Sequence, residues 1–210
     1  MKYVILITGL LSLLATLPGT EAEESNATVS QSPSSKEETP EWRRLIKPQH
    51  VESVESAETR AVAYNSARLA ASPSEAGNTD DKKHLSTAIE CLKPQNRPFK
   101  EQDLLGKWRC RSIQASNLIV IAYPFFECRF IRKNGKLFFE KTTGSQRRSG
   151  YLYPSAADQM VFLGSLTMND DPNTGEYTDT AGVLVRKASN RFLLILDSTQ
   201  EGYEIYEIVK

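Results

Sequence analysis

Histidine is scarce in this 210-residue chain: His50 and His84 are the only two, and both precede the strand-rich half. Nucleophilic catalysis needs a base beside the nucleophile. His84 and Cys91 would share a face of one helix but lie about 10.5 Å apart along its axis, too far for a thiol–imidazole hydrogen bond. No catalytic residue is therefore assigned, and an enzyme is the less favoured reading. The three cysteines and two histidines form no short-spaced pair, which argues against zinc, so neither metal nor cofactor is expected. Charge of either sign is not in excess: 26 basic residues match 26 acidic ones. A neutral chain whose basic segments lack interleaved aromatics is a poor nucleic-acid partner.

Long apolar runs are also missing, save one at the start. Met1-Lys2-Tyr3 is a short basic opening, and Val4 to Leu17 is apolar apart from small or hydroxyl residues. That run falls short of the roughly 20 residues a membrane-spanning helix needs. Pro18-Gly19 breaks it, and Thr20-Glu21-Ala22 follows with the small residues a signal peptidase requires. Residues 1–22 read as a signal peptide cleaved after Ala22, with no later membrane span. The expected product is periplasmic or secreted, and monomeric.

Residues 23–40 are polar, rich in serine and lacking aromatics. Such a segment buries too little surface to offset its ordering entropy, and reads as a flexible leader. Residues 41–104 form a helical preface. Trp42, Leu45 and Ile46 make one apolar turn before Pro48; Val51, Val54, Ala57, Ala61 and Tyr64 then recur at helical spacing. A second helix, capped by Asp80 or Asp81, places Leu85, Ala88, Ile89 and Leu92 on one face and stops at Pro94. Two helices this slight must pack on something larger.

From Leu105 the period becomes two. Candidate strands span 106–115, 124–133, 136–144, 147–154, 159–167, 177–188, 191–198 and 202–209. Turn-forming residues separate them, and Asn134-Gly135 is the clearest hairpin signal. Eight short strands with tight turns imply a mainly β fold: an eight-stranded antiparallel up-and-down barrel over 105–210, preceded by two small α-helices, whose closure removes both bare edges. Gly106-Lys107-Trp108 resembles the opening of lipocalin-like barrels. Cys110 and Cys128 lie equidistant from Ile119, as opposed residues of one hairpin do, and charged neighbours turn both sulfurs to the apolar face. In an oxidising compartment they are expected to bridge, worth about 3 kcal/mol in the chain-entropy model. Cys91 is left over.

The second half is similar to an uncharacterised bacterial family of exported proteins, domain of unknown function 4893. The residues that carry this are Trp108-Arg109-Cys110-Arg111, Pro124-Phe125-Phe126 with Cys128-Arg129, Thr143-Gly144-Ser145-Gln146-Arg147, Ser149 to Pro154, Val161 to Gly164 and Ala181-Gly182-Val183. The resemblance implies an envelope location and a compact barrel, and supplies no activity or catalytic residues.

Thr143–Pro154 is the most distinctive stretch. On a strand, Gln146, Arg148 and Gly150 take one face and Arg147, Ser149 and Tyr151 the other. One arginine therefore points inward, where it needs an anion, a carboxylate or water. Two arrangements answer that. Arg147 or Arg148 binds an anionic group beside Gln146, Tyr151 or Tyr153, or the inward arginine pairs with an internal glutamate at a barrel corner formed by Gly144 and Gly150. Tyr123, Phe125 and Phe126 are candidates to line the mouth. The loop Asp170–Glu176 reads first as an acidic turn, second as a calcium site.

Charge is uneven along the barrel. Residues 106–148 hold ten basic and two acidic residues, and 149–210 four basic and nine acidic. One wall should thus be positive, with Lys107, Arg109 and Arg111 facing outward, and the opposite wall negative. The function expected is an exported, non-enzymatic envelope binding protein. It holds a small apolar or anionic ligand in the barrel mouth, or an acidic envelope component on the basic wall. The alternative is an interaction or inhibitor module acting through the leader, and an enzyme centred on Arg147 comes third.

Overall fold

Trp108 and Cys110 are buried on a first strand, β1 (Gly106–Ser116), while Lys107 and Arg109 at the alternate positions are exposed. This alternation starts a barrel. The computed structural model describes residues 39–70, 79–116, 119–169, 171, 176–197 and 202–210. The expected signal peptide, almost all of the leader and most of the acidic loop lie outside those residues. After β1 come β2 (Val120–Ala122), β3 (Phe126–Lys133), β4 (Lys136–Lys141), β5 (Gln146–Ala156), β6 (Gln159–Met168), β7 (Thr180–Ala188), β8 (Arg191–Asp197) and β9 (Gly202–Val209). Each strand from β3 onward pairs antiparallel with the next, and β9 returns to β1 from Arg109 opposite Val209 to Ser116 opposite Gly202. The eight-stranded barrel is closed. The short β2 is an extra strand that continues the β3 edge past Pro124 and pairs with the far end of β1. Asn134 and Gly135 hold φ values of 53° and 75°, the left-handed pair that a tight hairpin turn requires.

Two apolar layers hold the fold. The inner layer fills the lower barrel with Trp108, Phe130, Phe139, Phe162, Phe192, Leu194 and their neighbours. Trp108 donates from Nε1 to the carbonyl of Leu104 at 2.5 Å and packs edge-on to Phe130 and Phe192. The outer layer lies between the sheet and helices α1 (Glu41–Leu45), α2 (Val51–Ala70) and α3 (Thr79–Leu92). Val54, Ala57 and Ala61 of α2 meet Val183, Val185, Leu193, Ile195 and Ile205. Strands β6 to β9 are therefore apolar on both faces, as strands covered on both sides must be. Tyr203 donates to Asn65 Oδ1 at 2.6 Å, and Tyr64 donates to the carbonyl of Ser116, fastening α2 across β9 and β1. Leu45, expected on an apolar turn, is exposed. Asp80 and Asp81 sit inside the first turn of α3 rather than capping it, where they still favour the helix dipole. A fourth helix, α4 (Glu101–Leu104), leads into β1.

The register corrects the cysteine geometry. Cys110 faces Phe126 and Cys128 faces Trp108, so the pair is diagonal and not directly opposed. Both are buried free thiols here, and the Cys128 thiol lies against that of Cys110. Among the described residues the expected negative wall does not form either. Strands β6 to β9 are covered by helices, Glu204 points inward, and Glu207 is buried between Arg111 and Arg191 at 2.6 Å from each.

Candidate binding site at the barrel mouth

The barrel interior changes character along its axis. Above the aromatic plug the inward positions become polar: Ser112 and Gln114 on β1, Lys141 on β4, Gln146 and Arg148 on β5, Thr180 on β7 and Glu204 on β9. Arg148 donates from Nη2 to Glu204 Oε2 at 2.9 Å and from Nη1 to Thr180 Oγ1 at 2.7 Å. Ser112 and Gln114 donate to the other Glu204 oxygen at 2.7 and 3.1 Å. Burial works to raise the Glu204 pKa, but Arg148 and these donors outweigh it and hold the carboxyl below its ordinary range. Tyr206 beside it is pushed well up by burial and by the Glu204 charge. Arg148 is thus spent on an internal glutamate.

Next to this network a cavity of about 150 Å³ opens at the mouth, lined by Ser112, Gln114, Tyr123, Phe126, Lys141, Ser145, Gln146 and Tyr206. Lys141 is its cation. The ammonium donates to the carbonyl of Gln146 at 2.7 Å and stands 4.3 Å over the Phe126 ring. Among the described residues no carboxylate lies within ion-pair distance of it. Burial pulls its pKa down. Gly144, at φ 86°, keeps this corner open, since a Cβ there would sit 3.1 Å from both the ammonium and the Phe126 ring.

Of the residues singled out from sequence, Gln146, Tyr123 and Phe126 line this cavity, and Arg148 lies beside it. The others do not join them. Arg147 turns outward and donates to the carbonyl of Gly144 at 3.0 Å. Tyr151 and Tyr153 are on the outer face of β5: Tyr151 packs on Phe138, and Tyr153 is buried with Trp42 and Ile46 beneath α1. Phe125 faces the outer wall, where the guanidinium groups of Arg109 and Arg111 stand 5.4 and 4.8 Å from its ring. Lys141, Ser112, Gln114 and Tyr206 were not anticipated. The signal for Lys141 was its place two residues beyond Phe139, in the same inward phase.

The outer basic wall exists in part. Lys107, Arg109, Arg129 and Lys210 border a groove of about 530 Å³ with Glu127 and Thr142. Arg111 is held by Glu207, and Arg129 by Glu140. Among the described residues no cluster of three metal-ligating side chains occurs, and no helix is long and apolar enough to cross a membrane.

The profile of one family, Domain of unknown function (DUF4893), matches residues 42–207, taking in the helical layer and the barrel together. The chain belongs to this family. No curated protein matches its sequence. A solved structure of a redesigned β-barrel is similar at 11% identity with a TM-score of 0.39, over 55% of this chain and 98% of that one.

Proposed function

We propose that this DUF4893 protein is an exported, non-enzymatic binding protein of the cell envelope that takes a small anionic group in the barrel mouth. The observation that carries the reading is Lys141: a buried ammonium beside an open cavity, with a backbone carbonyl and an aromatic face as its contacts. A buried ammonium with no carboxylate in contact is costly, since the nearby Glu204 charge is already engaged by Arg148, and an incoming anion relieves that cost. Ser145 adds a hydroxyl donor, and the amides of Gln146 and Gln114 add N–H donors, Gln114 with the one it does not give to Glu204. The small cavity suits a terminal carboxylate or a compact anion rather than a large cofactor, which needs about 300 Å³ or more. Export is supported by the basic-apolar-small pattern of residues 1–22.

The test is titration of the isotopically labelled protein with acetate and with inorganic phosphate, followed by amide chemical shifts. Shifts clustered at Lys141, Gln146 and Ser112, and abolished by Lys141→Met, are expected. Binding should weaken as pH rises through the lowered Lys141 pKa, because the ammonium loses its charge. Anion-induced shifts that persist unchanged in Lys141→Met remove the proposal. A second reading, an acidic macromolecule on the outer wall, has one observation in its favour: the groove bordered by Lys107, Arg109, Arg129 and Lys210. Glu127 within that groove weakens its field.

A further inference from the structure

The mouth has two zones. Its floor is polar, built from Lys141, Ser112, Gln114 and Gln146. Above the floor stands a collar of apolar side chains. Ile121 lies opposite the inward-facing Gln114, and Ile119 and Tyr123 share its face at two-residue spacing. Met168 lies opposite Gln146 and Leu166 opposite Arg148, which puts β6 across the mouth, three strands round the eight-strand ring from the β3 position that β2 extends. Ile119, Tyr123 and Met168 are 43, 38 and 45% exposed. Single exposed apolar residues are ordinary, but a group of them around a charged floor marks a contact surface.

Below the floor the barrel is closed. Phe139, Phe162, Leu194, Leu196 and Tyr206 are all at most 1% exposed, so an alkyl chain has no route inward. A ligand with one charged and one apolar end can therefore enter in one orientation, charged end down. Among the described residues the floor presents one ammonium without a carboxylate in contact, which matches a singly charged head better than a phosphate dianion.

We propose that the mouth binds a short- to medium-chain amphiphilic carboxylate head-first, with the carboxylate on Lys141 and the chain against Ile119, Ile121, Tyr123, Leu166 and Met168. This deepens the anion-binding reading of the same cavity and rests on it.

Calorimetry and amide shift mapping on the folded protein, with octanoate, acetate, octyl phosphate and octanol, test it. Octanoate should bind about tenfold or more tighter than acetate, because several methylenes leave water. It should also outbind octyl phosphate, and octanol should not bind. Lys141→Met should abolish octanoate binding. Met168→Gln and Ile121→Gln, at the rim and remote from the packed core, should weaken octanoate about threefold while leaving acetate unchanged. They keep the test decisive should Lys141→Met fail to fold. Octanoate no tighter than acetate, or untouched by the rim substitutions, overturns the amphiphile proposal and leaves the anion site standing. Octanol binding as tightly as octanoate overturns the orientation, and octyl phosphate binding tighter overturns the carboxylate assignment. If neither acetate, inorganic phosphate nor octanoate binds, this proposal and the anion reading fall together.

Discussion

Arg148 and Glu204 meet inside the barrel, guanidinium Nη2 to carboxylate Oε2 at 2.9 Å, from strands on opposite sides of the interior. Their side chains are 17 and 10% exposed, so neither charge is solvated enough to stand alone. Breaking a buried pair by removing one partner costs about 3–5 kcal/mol, because the survivor keeps its desolvation penalty. Glu204→Gln and Arg148→Met should each lower stability on that scale in urea unfolding. The double substitution should recover part of the loss, which a double-mutant cycle reads as coupling.

The same pair sets a pH dependence. Burial alone would raise the Glu204 pKa, but Arg148, Ser112 and Gln114 hold it below the ordinary carboxylate range. A depressed folded-state pKa stabilises fully above the unfolded value of about 4.3, and that contribution is lost as pH falls through the folded pKa. Thermal midpoints of the wild type should therefore fall in acid more steeply than those of Glu204→Gln. Parallel curves would show that the charge on Glu204 contributes nothing.

Gly150 and Gly164 oppose each other across β5 and β6, and the Phe162 ring lies against both. A Cβ at Gly164 would stand 2.2 Å from the Ser149 carbonyl oxygen and 2.6 Å from the Phe162 ring. Neither neighbour can move freely, since one is backbone and the other is wedged in the inner core. Gly164→Ala should destabilise by more than about 2 kcal/mol, the upper part of the usual overpacking range. Gly135→Ala, where a Cβ meets nothing, should cost only the strain of its positive φ, about 1 kcal/mol. Denaturant midpoints of the two variants compare them directly.

The strands were legible because two independent signals coincided: a period of two and turn residues at each break. Asn134-Gly135 ended β3 and began β4 as expected. Which face was inner was much less legible. With helices covering β6 to β9, both faces of those strands are apolar, so alternation identifies a strand without telling inside from outside. Tyr151 and Tyr153 were therefore open to assignment as ligand contacts, though they belong to the outer layer under α1. Lys141 is not distinguished by pattern because Phe138 and Phe139 obscure the phase of β4; both are buried, on opposite faces. The Arg148 partner lies 56 residues away, a pairing that local pattern cannot carry.

Cys110 and Cys128 offer a test of the export proposal. The Cys110 thiol beside it and burial push the Cys128 pKa up, and both sulfurs are buried, so neither should meet a reagent while the fold is intact. Alkylation of the native protein should leave both unlabelled. Refolding the reduced, denatured protein in glutathione disulfide, while both thiols are accessible, should join them, the contact between sulfurs in the fold supplying the proximity. Denatured but unreduced protein should then label at Cys91 alone. Three labels after prolonged oxidation would mean that the diagonal register holds the sulfurs apart.

Lys187 fastens the helical layer to the barrel. Its side chain is 1% exposed, and its ammonium donates to Glu58 of α2 at 2.5 Å and to the carbonyls of Leu92 and Pro94 at 3.2 and 2.9 Å. One cation thus ties together α2, the end of α3 and β7. The cost of removing either partner differs. Glu58→Ala leaves a buried ammonium with two carbonyls, and should destabilise by about 3–5 kcal/mol. Lys187→Met removes the charge and leaves Glu58, 30% exposed, able to find water; its cost is two unpaired carbonyls, about 1–3 kcal/mol each at most. Hydrogen exchange separates local from global loss. In Lys187→Met, amides at the end of α3 and around Glu58 in α2 should exchange faster while the β3 and β4 amides keep their protection, because α2 packs on β7 to β9 and α3 on β2. Uniform acceleration across the barrel would mean that the helical layer and the sheet unfold as one unit.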